Sequence, residues 1–207
     1  MDKVKTGTTC IGLLFKGGVV LAADRRITTF KIESDSFTKL FDVSDFVVST
    51  VAGHVAPAQL FFRNLRSEVK LLELKKERRA KVCEVASLLN SYQMGSKNSG
   101  AVVASIMGGY DEKNGVSLFE LSPDGSMLNH EPYVTNGSGS IFVKSVLDTQ
   151  YKDGMSEKEA LELLERCFKV SFKNDNSSGG GFIARVVSED GIREVKRKVV
   201  KTEMVNE

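Results

Sequence analysis

Near the start of the chain a glycine is followed by two threonines that lead straight into an apolar run, Gly7-Thr8-Thr9-Cys10-Ile11-Gly12. Cutting the Gly7–Thr8 bond would give Thr8 both a hydroxyl and a free α-amine, whose unperturbed pKa is roughly 7.7–8.0. That amine can take the proton of the residue's own hydroxyl, directly or through water, so that nucleophile and base come from one residue. Gly7, on the leaving side, has no side chain to crowd the attack. Such a site also needs a group that keeps the amine neutral and lowers the cost of forming an alkoxide. A buried lysine does this electrostatically, and a carboxylate can orient the lysine. Asp24, at the end of the second apolar run, and Lys39, in Thr38-Lys39-Leu40-Phe41, are the candidates. Taken singly these residues read blandly: a threonine pair entering a strand, a solvated turn aspartate, a surface lysine.

Other chemistry has little to work with. The two histidines, His54 and His130, sit in no recognisable signature, so a Ser-His-Asp or Cys-His site has no evident base. Cys10, Cys83 and Cys167 fit no zinc spacing. An odd, sparse cysteine count argues against a disulfide framework and suits a reducing cytoplasm. The net charge of +2 calls for neither nucleic acid nor an acidic membrane as partner. No apolar run approaches the roughly 18–20 residues that span a bilayer. Residues 1–7 lack the apolar core of a signal peptide. The 207 residues suffice for one sizeable domain.

The elements that must position Thr8, Asp24 and Lys39 follow from the pattern. Residues 8–24 read as a hairpin turning at Lys16-Gly17-Gly18. Its second strand, Val19-Val20-Leu21-Ala22-Ala23, is apolar throughout and so buried on both faces. Shorter strands are expected at 39–42 and 45–51. Ala52-Gly53-His54-Val55-Ala56-Pro57 breaks that pattern, and helical periodicity runs from Ala58 through Phe61, Phe62, Leu65, Val69 and Leu72. A second helix is expected from Ala80, then strands at 101–110 and 116–121, with Ser122-Pro123-Asp124-Gly125 as a turn. A third helix is expected over 140–151. Ser156-Glu157-Lys158-Glu159 is a capping box opening a fourth helix, with Ala160, Leu163, Leu164, Cys167, Phe168 and Ser171 inward. Strands at 181–188 and 193–200 close the chain. Strands, helices, strands, helices, strands in that order favour an α+β layered domain with antiparallel sheets. The basic stretch at 193–201 reads as one face of an edge strand.

Gly7-Thr8-Thr9-Cys10-Ile11-Gly12, Ala22-Ala23-Asp24-Arg25-Arg26, Lys39-Leu40-Phe41, Ala52-Gly53, Asn136-Gly137-Ser138-Gly139-Ser140 and Asp175-Asn176-Ser177-Ser178-Gly179-Gly180 together resemble the β-type subunits of the 20S proteasome, most of all the archaeal kind. The resemblance runs in order over essentially the whole chain. It implies the N-terminal nucleophile hydrolase fold, a four-layer αββα sandwich of two antiparallel sheets. It also implies a propeptide, residues 1–7, removed autocatalytically at Gly7–Thr8, and a single domain over 8–207. Thr8 would be nucleophile and, through its amine, base. Asp24 and Lys39 would tune it, and Ser138, Asp175 and Ser178 would hydrogen-bond around the amine and the nucleophilic water. The Gly53 N–H would form the oxyanion hole; a glycine between a buried strand and a helix also lets a substrate approach the backbone closely. Thr28, Gly53 and Val55 match positions that pair with a substrate lying as an added strand. Val51 would form the base of the first side-chain pocket, with Ile27 and Phe41 lining it, which suits cleavage after hydrophobic residues. Cys10 stands where the family usually has threonine.

The implied function is peptide hydrolysis through an ester on Thr8, with no metal or organic cofactor. The implied partners are proteasome α subunits and other β subunits in stacked seven-membered rings, a ring ATPase regulator and unfolded polypeptide substrates. A non-catalytic β-type ring subunit is the competing reading; absence of Gly7, Thr8 or Lys39 would mark it, and all three are present. The related bacterial ATP-dependent protease carries a different glycine-rich segment where this chain has Ala22-Ala23-Asp24-Arg25-Arg26.

Overall fold

The computed structural model describes residues 7–28, 31–96, 100–129 and 132–199. The propeptide expected over residues 1–7 therefore lies outside them except for Gly7, and His130 lies outside them too.

The first hairpin forms as β1 (Cys10–Phe15) and β2 (Gly18–Asp24), with Gly17 at φ +93° in the turn. All of β2 is buried, as its unbroken apolar run requires. These strands sit in a five-stranded sheet with β11 (Tyr133–Asn136) beside β1, then β12 (Phe182–Ser188) and the edge strand β13 (Gly191–Lys198) beyond β2. A six-stranded sheet runs in the order β10 (Met127–Asn129), β9 (Gly115–Leu121), β8 (Val103–Asp111), β6 (Val47–Thr50) and β5 (Leu40–Ser44), with β7 (Ala52–Gly53) also pairing β8. A ribbon of β3 (Ile27–Thr28) and β4 (Ile32–Ser34) stands apart. Every recorded strand pairing is antiparallel.

Helices α1 (Val55–Lys76) and α2 (Val82–Ser96) cover the six-stranded sheet, burying Phe62, Leu65 and Leu89 against Val47 and Met107. Helices α3 (Ser140–Gln150) and α4 (Glu157–Asn174) cover the five-stranded sheet, burying Leu147, Leu164 and Phe168 against Leu13 and Val20. A third apolar layer, with Cys10, Leu21, Val48, Ile106 and Leu118, lies between the sheets. The result is the αββα sandwich.

The capping box is formed: the Glu159 N–H donates to Ser156 Oγ, and the Ser156 N–H donates to Glu159 Oε2 at 2.8 Å. Helix α1 begins at Val55, ahead of the expected Ala58, because Pro57 falls in the first turn, where its missing N–H has no intrahelical acceptor to lose. It ends at Lys76, with Glu77 capping it at φ +51°, and α2 starts at Val82, two residues beyond the expected Ala80. The charges of β13 are tied to their neighbours: Arg193 to Glu157, Lys196 and Lys198 to Glu165, and Arg197 to Glu194.

Candidate active site

Thr8 immediately precedes β1 and is 3% exposed. Its carbonyl accepts the Gly139 N–H at 3.1 Å, which ties it to the start of α3. Asp24 ends β2, fully buried, and accepts four donors. Oδ1 takes Lys39 Nζ at 2.7 Å and the Thr9 N–H at 3.0 Å. Oδ2 takes the Arg26 and Gly179 N–H groups, each at 3.1 Å. Burial pushes the Asp24 carboxyl up from the usual carboxylate range, while the Lys39 ammonium and these N–H donors pull it back. The pair is an ion pair in a dry site, where each member is held because the other is there.

Lys39, just before β5 and 5% exposed, points at the nucleophile candidate. Its Nζ donates to Thr8 Oγ1 at 2.9 Å and to the Gly7 carbonyl oxygen at 3.0 Å. Thr8 Oγ1 in turn donates to that carbonyl at 2.5 Å. A single cation thus touches both the hydroxyl and the carbonyl of the bond that precedes it.

A second group reaches the nitrogen of Thr8, which donates to Ser138 Oγ at 3.1 Å. Ser138 Oγ donates to Asp175 Oδ2 at 2.7 Å, and Ser178 Oγ donates to the same oxygen at 2.7 Å. Asp175 caps the C-terminus of α4 and also accepts the Ser177 N–H at 3.0 Å on Oδ1, which folds the following loop back toward Thr8. The six side chains singled out in the sequence, Thr8, Asp24, Lys39, Ser138, Asp175 and Ser178, therefore converge.

Beside Gly7 and Thr8 lies a small cleft lined by Arg26, Ile27, Thr28, Phe37, Lys39, Val51, Gly53 and Val55. Phe41 is not on its wall. The Phe41 ring stacks on Phe62 with centroids 4.4 Å apart, inside the layer under α1, and Phe37 takes the aromatic place at the cleft. The Phe41 ring is drawn into the buried cluster beneath α1 by its stack on Phe62, and so leaves the cleft wall to Phe37. Gly53 has φ +115°, and a Cβ there would come within 2.2 Å of the Val102 carbonyl oxygen. That carbonyl accepts the His54 N–H at 2.8 Å, and His54 Nδ1 accepts the Val102 N–H at 3.2 Å, so the loop at Gly53 is stapled to the start of β8.

Arg26, Thr9 and Ser171 stand near Thr8 although the sequence reading gives them no role in the site. Arg26 pairs with Asp35 at 2.7 Å and donates to the Asn176 carbonyl at 3.2 Å, clamping the 175–181 loop. Thr9 and Ser171 form a buried hydroxyl pair at 2.6 Å. The serine within the apolar face of α4 was the available signal. Cys10 is fully buried, and burial pushes its thiol up to about 12, so it stays neutral beside the site. Among the described residues no cluster of His, Cys, Asp or Glu could hold a metal ion, and no helix is long and apolar enough to cross a membrane.

The family model described as "Proteasome subunit" matches residues 4–187. The protein named proteasome subunit beta of Methanoregula boonei is 33% identical over 197 residues, covering 95% of this chain and 92% of that one. That of Methanocaldococcus jannaschii is 33% identical over 194 residues, with 93% and 86% covered. That of Methanopyrus kandleri is 33% identical over 205 residues, with 97% of each covered. Both kinds of match span the hairpin that ends at Asp24, the helices that flank it and the loop after Asp175, and the chain belongs to the proteasome subunit family, among relatives named as its archaeal β subunits.

Proposed function

We propose that this β-type subunit is proteolytic, with Thr8 as an N-terminal nucleophile that is freed by its own chemistry. The observation that carries the reading is the position of Lys39 Nζ, 2.9 Å from Thr8 Oγ1, 3.0 Å from the Gly7 carbonyl oxygen and 2.7 Å from Asp24 Oδ1. An ammonium in that place stabilises negative charge on the hydroxyl oxygen as it attacks, and on the carbonyl oxygen as it is attacked.

In self-cleavage, Thr8 Oγ1 bonds to the Gly7 carbonyl carbon, the C–N bond breaks and the nitrogen leaves protonated. Water then hydrolyses the ester between Gly7 and Thr8, releasing residues 1–7 as an acid. The freed amine is thereafter the base. It takes the Thr8 hydroxyl proton while Oγ1 attacks a substrate carbonyl, and passes that proton to the departing amine. Water activated by the same amine hydrolyses the acyl ester. The Gly53 N–H serves as oxyanion donor, with Thr28, Gly53 and Val55 pairing to substrate backbone, and Ile27, Phe37 and Val51 receiving an apolar side chain. Arg26 also reaches the cleft, but its guanidinium is already engaged by Asp35 and Asn176.

The subunit would work within stacked rings of β and α subunits in the cytoplasm, receiving unfolded polypeptide from a ring ATPase. The test is the intact mass of the chain after co-assembly with its α partner, beside a Thr8→Ala control. Loss of the mass of residues 1–7 in the wild type alone supports an active Thr8. Full-length mass in both overturns self-cleavage and favours a structural ring subunit.

A further inference from the structure

Beyond the six residues considered so far, the hydroxyls continue into the protein. Thr9 Oγ1 lies 2.8 Å from Ser178 Oγ and 2.6 Å from Ser171 Oγ. Thr9 and Ser171 are fully buried, and Ser178 is 2% exposed. The distances do not say which oxygen donates, but counting protons does. The Asp175 carboxylate only accepts, and each hydroxyl has one proton to give. Ser178 and Ser138 both spend theirs on Asp175 Oδ2. Ser178 must then accept from Thr9, and Thr9 from Ser171. At the other end, the Ser138 hydroxyl has two acceptors in reach, Asp175 Oδ2 at 2.7 Å and the Thr8 carbonyl oxygen at 3.4 Å, and the shorter, charged one takes its proton, while its oxygen accepts from the Thr8 nitrogen at 3.1 Å. The chain runs Ser171 to Thr9 to Ser178 to Asp175 from one side, and Thr8 nitrogen to Ser138 to Asp175 from the other. Two oriented O–H bonds thus meet on one carboxylate oxygen, Oδ2, while Oδ1 takes the Ser177 N–H.

A second observation shows that space is kept for this pair. A Cβ on Gly139 would lie 2.0 Å from Thr9 Oγ1 and 2.7 Å from Ser171 Oγ. The start of α3 seals the two hydroxyls from water, and it can do so only as glycine.

We propose that Ser171 and Thr9 are positioning residues that hold the Ser178 hydroxyl on Asp175, and so set how strongly the site favours the charged form of the Thr8 amine. The inference rests on the proposed role of that amine as base. With the relay intact, cooperative O–H donation spreads the Asp175 charge away from the amine. Without it, Ser178 is free to turn away, the carboxylate draws harder on the amine through Ser138, and more of the amine is protonated and useless as a base. The other charged groups facing Thr8 are Asp24 at the end of β2, Arg26 after it and Lys39 before β5. None of them touches Ser171 in the recorded contacts, and neutral Cys10 lies beyond Lys39.

The test is the pH–rate profile of assembled, processed particles on a short fluorogenic peptide, for wild type, Ser171→Ala, Thr9→Val and Thr9→Ser. Intact mass confirms processing in each. In Ser171→Ala and Thr9→Val the acid limb of kcat should move up by about half a pH unit, close to threefold less neutral amine on that limb, converging with wild type in alkali at unchanged KM. Thr9→Ser keeps the hydroxyl and should keep the wild-type limb. A fall in kcat by the same factor at every pH, or limbs that superimpose, overturns the inference. If Ser171→Ala fails to assemble, the near-isosteric Thr9→Val decides it. A wild-type particle that neither processes nor hydrolyses overturns the catalytic reading itself, whereas an active wild type with unshifted variants removes only the relay.

Discussion

The backbone N–H of Gly179 donates to Asp24 Oδ2 at 3.1 Å, across 155 positions of sequence. This contact joins the loop after the last helix to the end of the first hairpin, and the carboxylate between them holds Lys39 against Thr8. The nucleophile candidate is therefore oriented by two distant segments that meet on one buried side chain.

Removing one partner of the Lys39–Asp24 pair should cost more than removing both. Lys39→Met leaves the Asp24 charge buried without its cation, and a loss of about 3–5 kcal/mol is expected. The double variant Asp24→Asn/Lys39→Met has no buried charge and should regain much of that stability. Denaturant unfolding of the isolated chain measures the coupling. Additive losses would mean that the pair is not coupled. Neither variant should process or hydrolyse.

Below the acid limb set by the Thr8 amine, a second and steeper loss of activity is expected at a pH above that of an ordinary aspartate, roughly 3.9. Burial raises the Asp24 carboxyl, and its protonation takes away the partner that orients Lys39. Reversible loss of rate on a peptide substrate, with circular dichroism unchanged, is the expected result. A limb that keeps the slope of a single proton down to the ordinary aspartate range would contradict it.

Gly53→Ala tests the backbone at the cleft. The new Cβ would need φ +115° and would press within 2.2 Å of the Val102 carbonyl oxygen. The loop must shift, and a kcat loss on the order of 10²-fold or more is expected if the N–H is the oxyanion donor. Rates within twofold of wild type would exclude that role.

Cleavage should be fastest after apolar residues. Ile27, Phe37 and Val51 line the cleft, and Arg26 there is bound to Asp35. A panel of fluorogenic peptides differing only in the residue before the cut measures this, and fastest turnover after arginine would refute it. Phe37→Ala should change the ranking within the panel, while Phe41→Ala should act through stability.

Glu84 should matter to stability in a pH-dependent way. It accepts Arg78 and Lys76 at 2.7 and 2.6 Å and the Lys81 N–H at 2.9 Å, which hold its carboxyl well below the usual range. Because the folded form binds this proton more weakly than the unfolded chain does, the contribution is present above the unfolded value of roughly 4.3 and fades as pH falls below it. Glu84→Gln should lower Tm by about 2–4 °C at neutral pH, corresponding to about 1 kcal/mol, with the gap closing in acid. A constant gap across pH would show that packing, and not charge, is responsible.

Much of this arrangement was legible in the sequence because it depends on strong local patterns. The β1–β2 hairpin has six- and seven-residue strands and a glycine turn, and α4 has a complete capping box over a wide apolar face. Strands β3, β7, β10 and β11, of two to four residues, are too short to show a period and exist because longer neighbours offer them partners. The left-handed turn at Glu77 has no glycine to announce it. Thr8, Asp24 and Lys39 could be picked out by chemical type. Phe37, Arg26 and Ser171 could not, since a cleft wall, a clamp and a buried hydroxyl are defined by what stands opposite them in space. Phe41 was misplaced for the same reason: what draws its ring away from the cleft is Phe62 of α1, which stands opposite it in space.

Gly7 is itself buried, and it shares the cleft with Thr8, filling part of the ground that the lining residues enclose. Under the proposed function, the chain is thus its own first customer. The residue that leaves is a placeholder whose departure opens the doorway, and since β1 begins only at Cys10, no rung of the sheet is lost when it goes.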